Sequence, residues 1–418
     1  MKKTVHDPVH GSITVHGAVL DLLDTVEVQR LRGIKQLGLA NVAFPGANHS
    51  RFEHALGASH MAEKVSTILK LSKDERELLK VTALLHDVGH APYSHTFEQL
   101  MLDVLGLDHM EITGKILEGK ISVESSRKLR SLNVPRTCDV LKEWGLSAKE
   151  ISLLLLGKHE KEYLGDLLHS EIDVDQLDYL LRDSHYTGVA LGMVDAERIV
   201  NTLVVRQNKL CVLEKGIEAI EGLLTARSLM YSSVYYHHTV RTAEVMLANA
   251  VDFVIRGVSK REALRLFTMN DAQLMVFLDS VGGFVSELVT RLRYRTLFKP
   301  VYVRPRTKLS EEEKKEYLEK FGRWSKIRKI QEEIAEEAGV EVGRVMIDVP
   351  VVDIIISEPR ISKVEMPVLS RGKLHNLAEL SPLAEAIKQR QSPKFFLRVL
   401  ADPRFEEQVE RAAKRIFD

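Results

Sequence analysis

The chain has 418 residues, 44% hydrophobic and 28% charged, with 59 Lys and Arg against 59 Asp and Glu. That length exceeds a single ordinary core, so one large domain with appendages, or two domains, is expected. The balanced charge excludes a global field that would draw the protein to nucleic acid or membrane, so any polyanion site must be local.

Only Cys138 and Cys211 are cysteines, which excludes a disulfide framework and fits a reducing cytoplasm. The N-terminus MKKTVHDPVHG has no apolar stretch behind its lysines and does not read as a secretory signal. No apolar run approaches the ~20 residues of a membrane span.

Residues 3–16 are rich in β-branched residues and broken by Pro8 and Gly11, which predicts a short hairpin or loop. From Gly17 the spacing turns helical, with Leu20, Leu23, Val28, Leu31 and Ile34 near one face, until Pro45 and Gly46 break the run. RFEHALGASHMAEKVSTILKL reads as the next helix, with His54, Met61, Val65 and Ile68 on one stripe. His54 therefore points inward, and a buried imidazole needs a hydrogen bond or a metal. A helix from about Asp74 ends in the apolar VTALL directly before His86 and Asp87, and Gly89 and Pro92 then force a change of direction. Further helices are predicted at 147–156, 171–183, 193–205, 216–258, 260–268 and 271–294.

Near residue 300 the character changes. The run 291–308 is basic and a helix follows at 310–337. VMIDVPVVDIIISEP and KVEMPVLS then read as strands, LAELSPLAEAIKQ as a helix, and KFFLRVLAD and RFEEQVERAAKRIF as a strand and a helix. The expected fold is mainly α: a helical catalytic core over 1–300, its metal site within 50–185, and a smaller α+β region over 301–418 for oligomerisation or regulation.

Of sixteen histidines, His49, His54, His60, His86, His90, His95 and His109 crowd into a short N-terminal region. His54, the pair His86-Asp87 and Asp175 have the residue types of a hydrolytic metal centre, since imidazole and carboxylate suit a divalent ion and leave positions open for water and substrate. Adjacent helical residues point ~100° apart, so His86 and Asp87 reach one ion only near a helix end, which the Gly89–Pro92 break supplies. A His-Asp pair is common by chance, whereas HDVGHAPYSH is far more specific. It places His90 and His95 where an imidazole binds phosphate or hands a proton to a leaving alkoxide. In SEIDVDQLDYLLRDSHYTG a helix puts Asp175, Tyr179 and Arg182 on one stripe with Asp183 close by, a candidate wall for a sugar-phosphate. Standing alone, that segment would read as a solvated acidic helix.

FPGANHSRFEHALG, HDVGHAPYSH and IDVDQLDYLLRD, in this order, resemble the HD-superfamily deoxynucleoside triphosphate triphosphohydrolases. DPVHGSITVH, DTVEVQRLRGIKQLG and YRTLFK extend the resemblance over roughly residues 4–300. It implies an HD-domain helical core in which His54, His86, Asp87 and Asp175 hold a divalent metal (Mn, Fe, Co, Ni, Zn or Mg), with further Mg travelling on the triphosphate. The implied substrates are deoxynucleoside triphosphates. Metal-activated water attacks the α-phosphorus and the bond to the 5′ oxygen breaks, giving deoxynucleoside and inorganic triphosphate.

By the same resemblance His90, His95 and His109 line the triphosphate, with His95 as proton donor supported by Glu98. Arg51 and Arg227 contact the triphosphate, although each taken singly reads as well as a cap or ion pair within the helical body. Gln36 and Leu37 face the deoxyribose, Tyr179 and Tyr235 pack on sugar and base so as to exclude a 2′-hydroxyl, and Asp183 lies near the 3′-hydroxyl. The sequence departs from the family at Met110, where a glutamate is usual, at Gln176 for a lysine, and at Tyr236 for a glutamine near the base.

The resemblance further implies a homo-oligomer, tetramer or dimer, with nucleotide activators bound between subunits. Asp24, Gln29 and Arg32 match positions that read a guanine there, and Arg198, Lys215, Arg295 and Lys299 match positions that bind effector phosphates; His6 and His238 depart. The basic run 291–308 fits a polyanion pocket or the commoner solvated basic face. Two rivals stay open: an HD phosphohydrolase or phosphodiesterase acting on a monophosphate, a cyclic dinucleotide or an alarmone, and a nucleic-acid-binding protein with a structural HD core. Zero net charge and the lack of an aromatic-studded basic stripe argue against the second. Neither nucleic acid nor membrane is an expected partner, and the expected location is the cytoplasm.

Overall fold

The computed structural model describes residues 1–124, 129, 131–305, 311–350, 366–389 and 395–418. An N-terminal hairpin pairs β1 (Lys2–Asp7) antiparallel with β2 (Gly11–His16), Asp7 opposite Gly11. Its turn closes because Asp7 Oδ1 accepts the backbone N–H groups of Val9 at 2.9 Å and His10 at 2.8 Å.

The helical run expected from Gly17 is three short pieces: α1 (Gly17–Leu23), α2 (Val26–Arg30) and a 3₁₀ turn at Leu31–Gly33. Thr25 between the first two is buried and turns its hydroxyl back onto the Leu22 carbonyl at 2.7 Å, a side-chain bond that competes with helix continuation. α3 (Arg51–Ile68) and α4 (Lys73–Leu85) each open with a capping box, Ser50 with Glu53 and Ser72 with Glu75. α5 (Glu98–Leu105), α6 (His109–Leu117) and α7 (Val174–Thr187) complete the group that surrounds the histidines. Shorter helices at Thr137–Glu143, Ala148–Leu155 and Glu162–His169 lie between α6 and α7.

Several predicted helices are broken. Only Ala196–Val200 of the predicted 193–205 is helical, after which β3 (Leu203–Arg206) returns as β4 (Lys209–Leu213). Gln207 and Asn208 both take positive φ in that two-residue turn, and a short apolar run such as Leu203–Val205 does not by its spacing distinguish helix from strand. The predicted 216–258 is α8 (Ile217–Met230) and α9 (His238–Ile255), separated by a π-helical turn at Tyr231–Tyr235. The predicted 271–294 divides at Gly282, where φ is +78°, into Asp271–Val281 and Gly283–Arg293. The predicted 310–337 is Glu311–Phe321 and Trp324–Ala338, and the helix expected in LAELSPLAEAIKQ parts before Pro382.

The C-terminal strands serve two sheets. β5 (Lys299–Pro305), β6 (Val345–Asp348) and β9 (Phe395–Ala401) form an antiparallel sheet in the order β5-β9-β6. Its core joins Val345 and Val399 to Ile334 and Val409 from the helices Trp324–Ala338 and Glu406–Phe417. β7 (Pro367–Ser370) and β8 (Lys373–Asn376) instead extend the β3–β4 hairpin, with β4 and β7 parallel. The remaining strand residues expected at 351–359 and 363–365, together with 306–308, 310 and 394, lie outside the described residues. The molecule is mainly helical with small sheets, in agreement with the fold expected from sequence. Among the described residues no helix is long and apolar enough to cross a membrane.

Candidate active site

His54 lies in the first turn of α3 and is fully buried. His86 caps the C-terminus of α4, Asp87 follows it, and Asp175 sits in the first turn of α7. These elements bring His54 Nε2, His86 Nε2 and one Asp175 oxygen within 4.8 Å of one another. His54 Nε2 stands 2.9 Å from Asp175 Oδ1 and 3.2 Å from His86 Nε2. The outer ring nitrogens are committed, since His54 Nδ1 donates to Asp178 Oδ2 at 2.8 Å and His86 Nδ1 to the Ala83 carbonyl at 2.7 Å. Each ring is thereby held in the tautomer that turns Nε2 inward, the arrangement found behind metal-bound histidines.

Two imidazole nitrogens and a carboxylate oxygen, each oriented from behind, are a donor set that fits a divalent cation. Burial pushes the His54 pKa down, yet Asp175 and Asp178 outweigh it and hold it up at about 10, so the space between these side chains favours positive charge. Asp87 stands at the edge of the trio. Its Oδ1 lies 3.2 Å from His86 Nε2, while its Oδ2 receives Arg51 Nη1 at 2.5 Å. Burial would raise the Asp87 pKa, but Arg51, His86 and His90 carry it well below the usual carboxylate range.

The loop after Asp87 is shaped by contact. A Cβ on Gly89 would lie 2.3 Å from the His109 carbonyl and 2.5 Å from the Thr113 nitrogen, so glycine lets α6 approach. Tyr93 and Ser94 both adopt left-handed backbone, φ +56° and +60°, which is costly for residues with side chains. Asp271 offsets this by accepting the Tyr93 N–H at 2.7 Å and the Lys35 N–H at 3.0 Å. Ser94 Oγ in turn receives Arg51 Nε at 2.7 Å and donates to the Lys35 carbonyl at 2.7 Å.

Beside the metal trio, His90 stacks on His109 with centroids 4.1 Å apart, and His90 Nε2 is 3.2 Å from Asp87 Oδ1. Burial first, then Arg51 and His109, drives the His90 pKa well down, so this ring is neutral. His109 has the opposite bias: burial lowers its pKa but Glu98, hydrogen-bonded to Nδ1, raises it on balance. Glu98 is buried and also receives His95 Nδ1 at 2.8 Å, leaving the half-exposed His95 with Nε2 directed away from its anchor. Met110 lines the cavity, and Glu111 is spent on the capping box with Asp108 that starts α6.

His86, Asp87, His90, His95, His109, Met110 and Asp175 line one cavity of about 220 Å³, and His54 and Glu98 stand outside its lining. Its remaining wall carries Gln36, Leu37, Arg51, Tyr179, Asp183, Arg227, Tyr235 and Tyr236, so these eight expected substrate contacts share a single surface. Among the described residues, Gln36 Oε1 and Arg51 Nη2 are buried there without a hydrogen-bond partner. Gln176 Oε1 accepts from Arg227 Nη1 at 3.3 Å, so the residue in place of the family lysine orients an arginine. Tyr235 donates to Asp183 Oδ2 at 2.6 Å and His49 to Oδ1 at 2.8 Å, which engages both Asp183 oxygens.

One expectation is overturned. Arg182 is not part of a sugar-phosphate wall: it is fully buried, absent from the cavity lining, and paired with Asp178 and Asp7. The residues expected at an activator site are spread along the chain and none lines the cavity. Arg32 Nε donates to Gln29 Oε1 at 2.9 Å, Arg198 Nη2 to the Lys215 carbonyl at 2.8 Å and Arg295 Nε to the Val42 carbonyl at 2.9 Å. Asp24 lies 3.8 Å from Lys3 Nζ, and Lys299 opens β5.

Sequence reasoning missed Asp178, which anchors His54, and the wall formed by Tyr231, Arg241 and Glu244. Arg241 Nη2 reaches Asp348 of β6 at 2.7 Å, and Arg398 of β9 holds the same carboxylate at 2.5 Å, so the C-terminal sheet abuts the cavity wall.

The HD domain model matches residues 51–183 and the HD associated region model matches 194–418. An uncharacterized protein of Methanocaldococcus jannaschii is 33% identical over 392 residues, 92% of this chain and 76% of that protein. A deoxynucleoside triphosphate triphosphohydrolase homolog of Dictyostelium discoideum is 32% identical over 265 residues, and this chain spans about half of it, 48%. Among solved structures, a phosphohydrolase from Bacteroides thetaiotaomicron superposes with a TM-score of 0.68 at 26% identity, covering 96% of this chain and 99% of that one.

Proposed function

The chain belongs to the HD-domain proteins that carry an HD-associated region, and we propose that it is a metal-dependent hydrolase of deoxynucleoside triphosphates, releasing deoxynucleoside and inorganic triphosphate. One observation carries this reading. His86 and Asp175 of the metal-ligand trio, the cation of Arg51 with a buried N–H that has no partner among the described residues, and the tyrosine wall open onto the same cavity. A triphosphate requires cations and a nucleoside requires flat apolar surface, and both are present side by side.

His54, His86 and Asp175, with Asp87 beside them, would hold the ion, which when bound neutralises phosphate charge and acidifies water. Arg51 and Arg227 bind the phosphates, and His109, whose protonated form Glu98 favours, adds a third donor. Asp87 and Ser94 fix the Arg51 guanidinium, so its planar fork is oriented before substrate arrives. Water adds at the α-phosphorus and the bond to the 5′ oxygen breaks. His95 Nε2 gives its proton to that oxygen while Glu98 holds Nδ1 and keeps the ring aimed. Tyr179 and Tyr235 flank the sugar, and Tyr235 is kept in place by Asp183.

The test incubates purified protein with each deoxy- and ribonucleoside triphosphate and with Mn, Fe, Co, Ni, Zn or Mg in turn, following inorganic triphosphate. Deoxynucleotide-dependent triphosphate release, lost in Asp175→Ala, is the expected result. Release of pyrophosphate or orthophosphate instead would assign another HD phosphohydrolase activity. Tight, salt-sensitive binding to single-stranded nucleic acid without turnover would reject the enzyme reading. Acceleration of one deoxynucleotide's hydrolysis by another, in an oligomeric protein, is the accompanying expectation for Asp24, Gln29, Arg32, Arg198, Lys215, Arg295 and Lys299.

A further inference from the structure

The N-terminal hairpin is a slight element to find beside a catalytic centre. β1 buries only Asp7 among its six residues, and a lone two-stranded hairpin is marginal in water. β2 sends Ile13 and Val15 into the core, and a buried ionic network fastens the turn end. Arg182 of α7 donates Nη1 to Asp7 Oδ2 at 2.8 Å, and Nε and Nη2 to the two oxygens of Asp178 at 2.8 and 2.9 Å. From the hairpin turn, His10 Nε2 donates to Asp178 Oδ1 at 2.6 Å. The remaining capacity of Asp178 Oδ2 goes to His54 Nδ1 at 2.8 Å.

Asp178 and Arg182 have fully buried side chains, and that of His10 is 9% exposed, so water does not compete for these bonds. Space for the hub is reserved by Gly57 on α3, where a Cβ would fall 1.8 Å from Asp178 Oδ1. A carboxylate anchored at both oxygens by three donors, and presenting a fixed acceptor to His54, is more than a hairpin needs for docking. It is what a metal ligand needs to keep one tautomer and one orientation.

We propose that the N-terminal hairpin is a working part of the metal centre, with Asp7 and His10 as positioning residues that hold Asp178 and, through it, His54. The inference rests on reading His54, His86 and Asp175 as metal ligands. It makes cation affinity depend on Asp7 and His10, which lie 47 and 44 positions from the nearest ligand in sequence.

The experiment uses the full chain and Co²⁺ as probe, following equilibrium dialysis and the visible absorption of bound cobalt. His10→Ala is expected to weaken cobalt binding by about tenfold or more and to alter the cobalt spectrum. His10→Gln, whose amide N–H also reaches a carboxylate, recovers most of the affinity. Asp7→Asn, which loosens Arg182, weakens binding severalfold and serves if His10→Ala does not fold. Thr4→Ala, on the exposed face of the same hairpin, leaves the affinity unchanged. Cobalt bound equally well by His10→Ala, or as weakly by His10→Gln as by His10→Ala, overturns the hairpin's role while leaving the metal centre standing. An unaltered protein that takes up no cobalt overturns the metal centre and the inference together.

Discussion

The Nε2 atoms of His54 and His86 face each other at 3.2 Å, with Asp175 Oδ1 2.9 Å from the first. At that spacing the two nitrogens share a proton or face a cation. Burial alone would strip the proton from His54, but Asp175 and Asp178 raise its pKa from 6.5 to about 10. A cation using the same atoms must displace that proton, so its apparent affinity climbs with pH by up to about tenfold per unit. In the metal-free protein the raised value adds stability that is complete below pH 6.5 and is lost as pH rises through about 10. The difference in melting temperature with and without saturating Mn²⁺ should therefore widen across that interval. A difference that stays constant with pH would remove His54 from the ligand set.

Glu98 links His95 to His109, and its loss should show in the pH profile as well as the rate. Burial would raise the Glu98 pKa, but the two histidines, His109 foremost, hold it well below the usual carboxylate range. Glu98 in return raises His109 against the lowering effect of burial. In Glu98→Gln that support is gone, so His109 loses its proton at lower pH and the alkaline limb of kcat/KM moves acidward. The rate itself is expected to fall by about a hundredfold, as for a misplaced general acid. An unshifted alkaline limb with a lowered rate would separate His109 from the phosphate-binding role.

Much of the centre was legible because its residues announce themselves by type and local spacing. The stripe through His54 and Met61 turns the histidine inward, and Gly89 and Pro92 mark the helix end that frees His86 and Asp87. Arg182 shows where this kind of reading stops. Periodicity places it near Asp175 and Tyr179 but does not reveal that Asp7, 175 residues away, supplies its partner. Asp178 was passed over for the same reason, as its function comes from His10 and His54. The π-helical turn at Tyr231–Tyr235 inserts a residue into a continuous apolar pattern, and the join of β7 to β4 depends on pairing across the fold. Neither leaves a local signature.

Gly89 offers a test of the loop that needs no assumption about substrate. Its neighbours are backbone atoms, the His109 carbonyl and the Thr113 nitrogen, together with the Thr113 hydroxyl at 2.5 Å, which donates back to the His86 carbonyl. None of these is the end of a flexible chain, so Gly89→Ala must push α6 away from the loop. The strain should cost about 1–3 kcal/mol, read as a lower melting temperature. The retreat of α6 carries His109 away from His90 while leaving α3 and α7 in place. Turnover should consequently fall further than cobalt affinity does, because of the ligand trio only His86 is tied to α6, through its carbonyl bond to Thr113, while His54 and Asp175 stand on other helices. A Gly89→Ala protein with unchanged melting temperature and full turnover would mean that α6 is not held at this contact, and that the stacking of His90 on His109 is not required for the reaction.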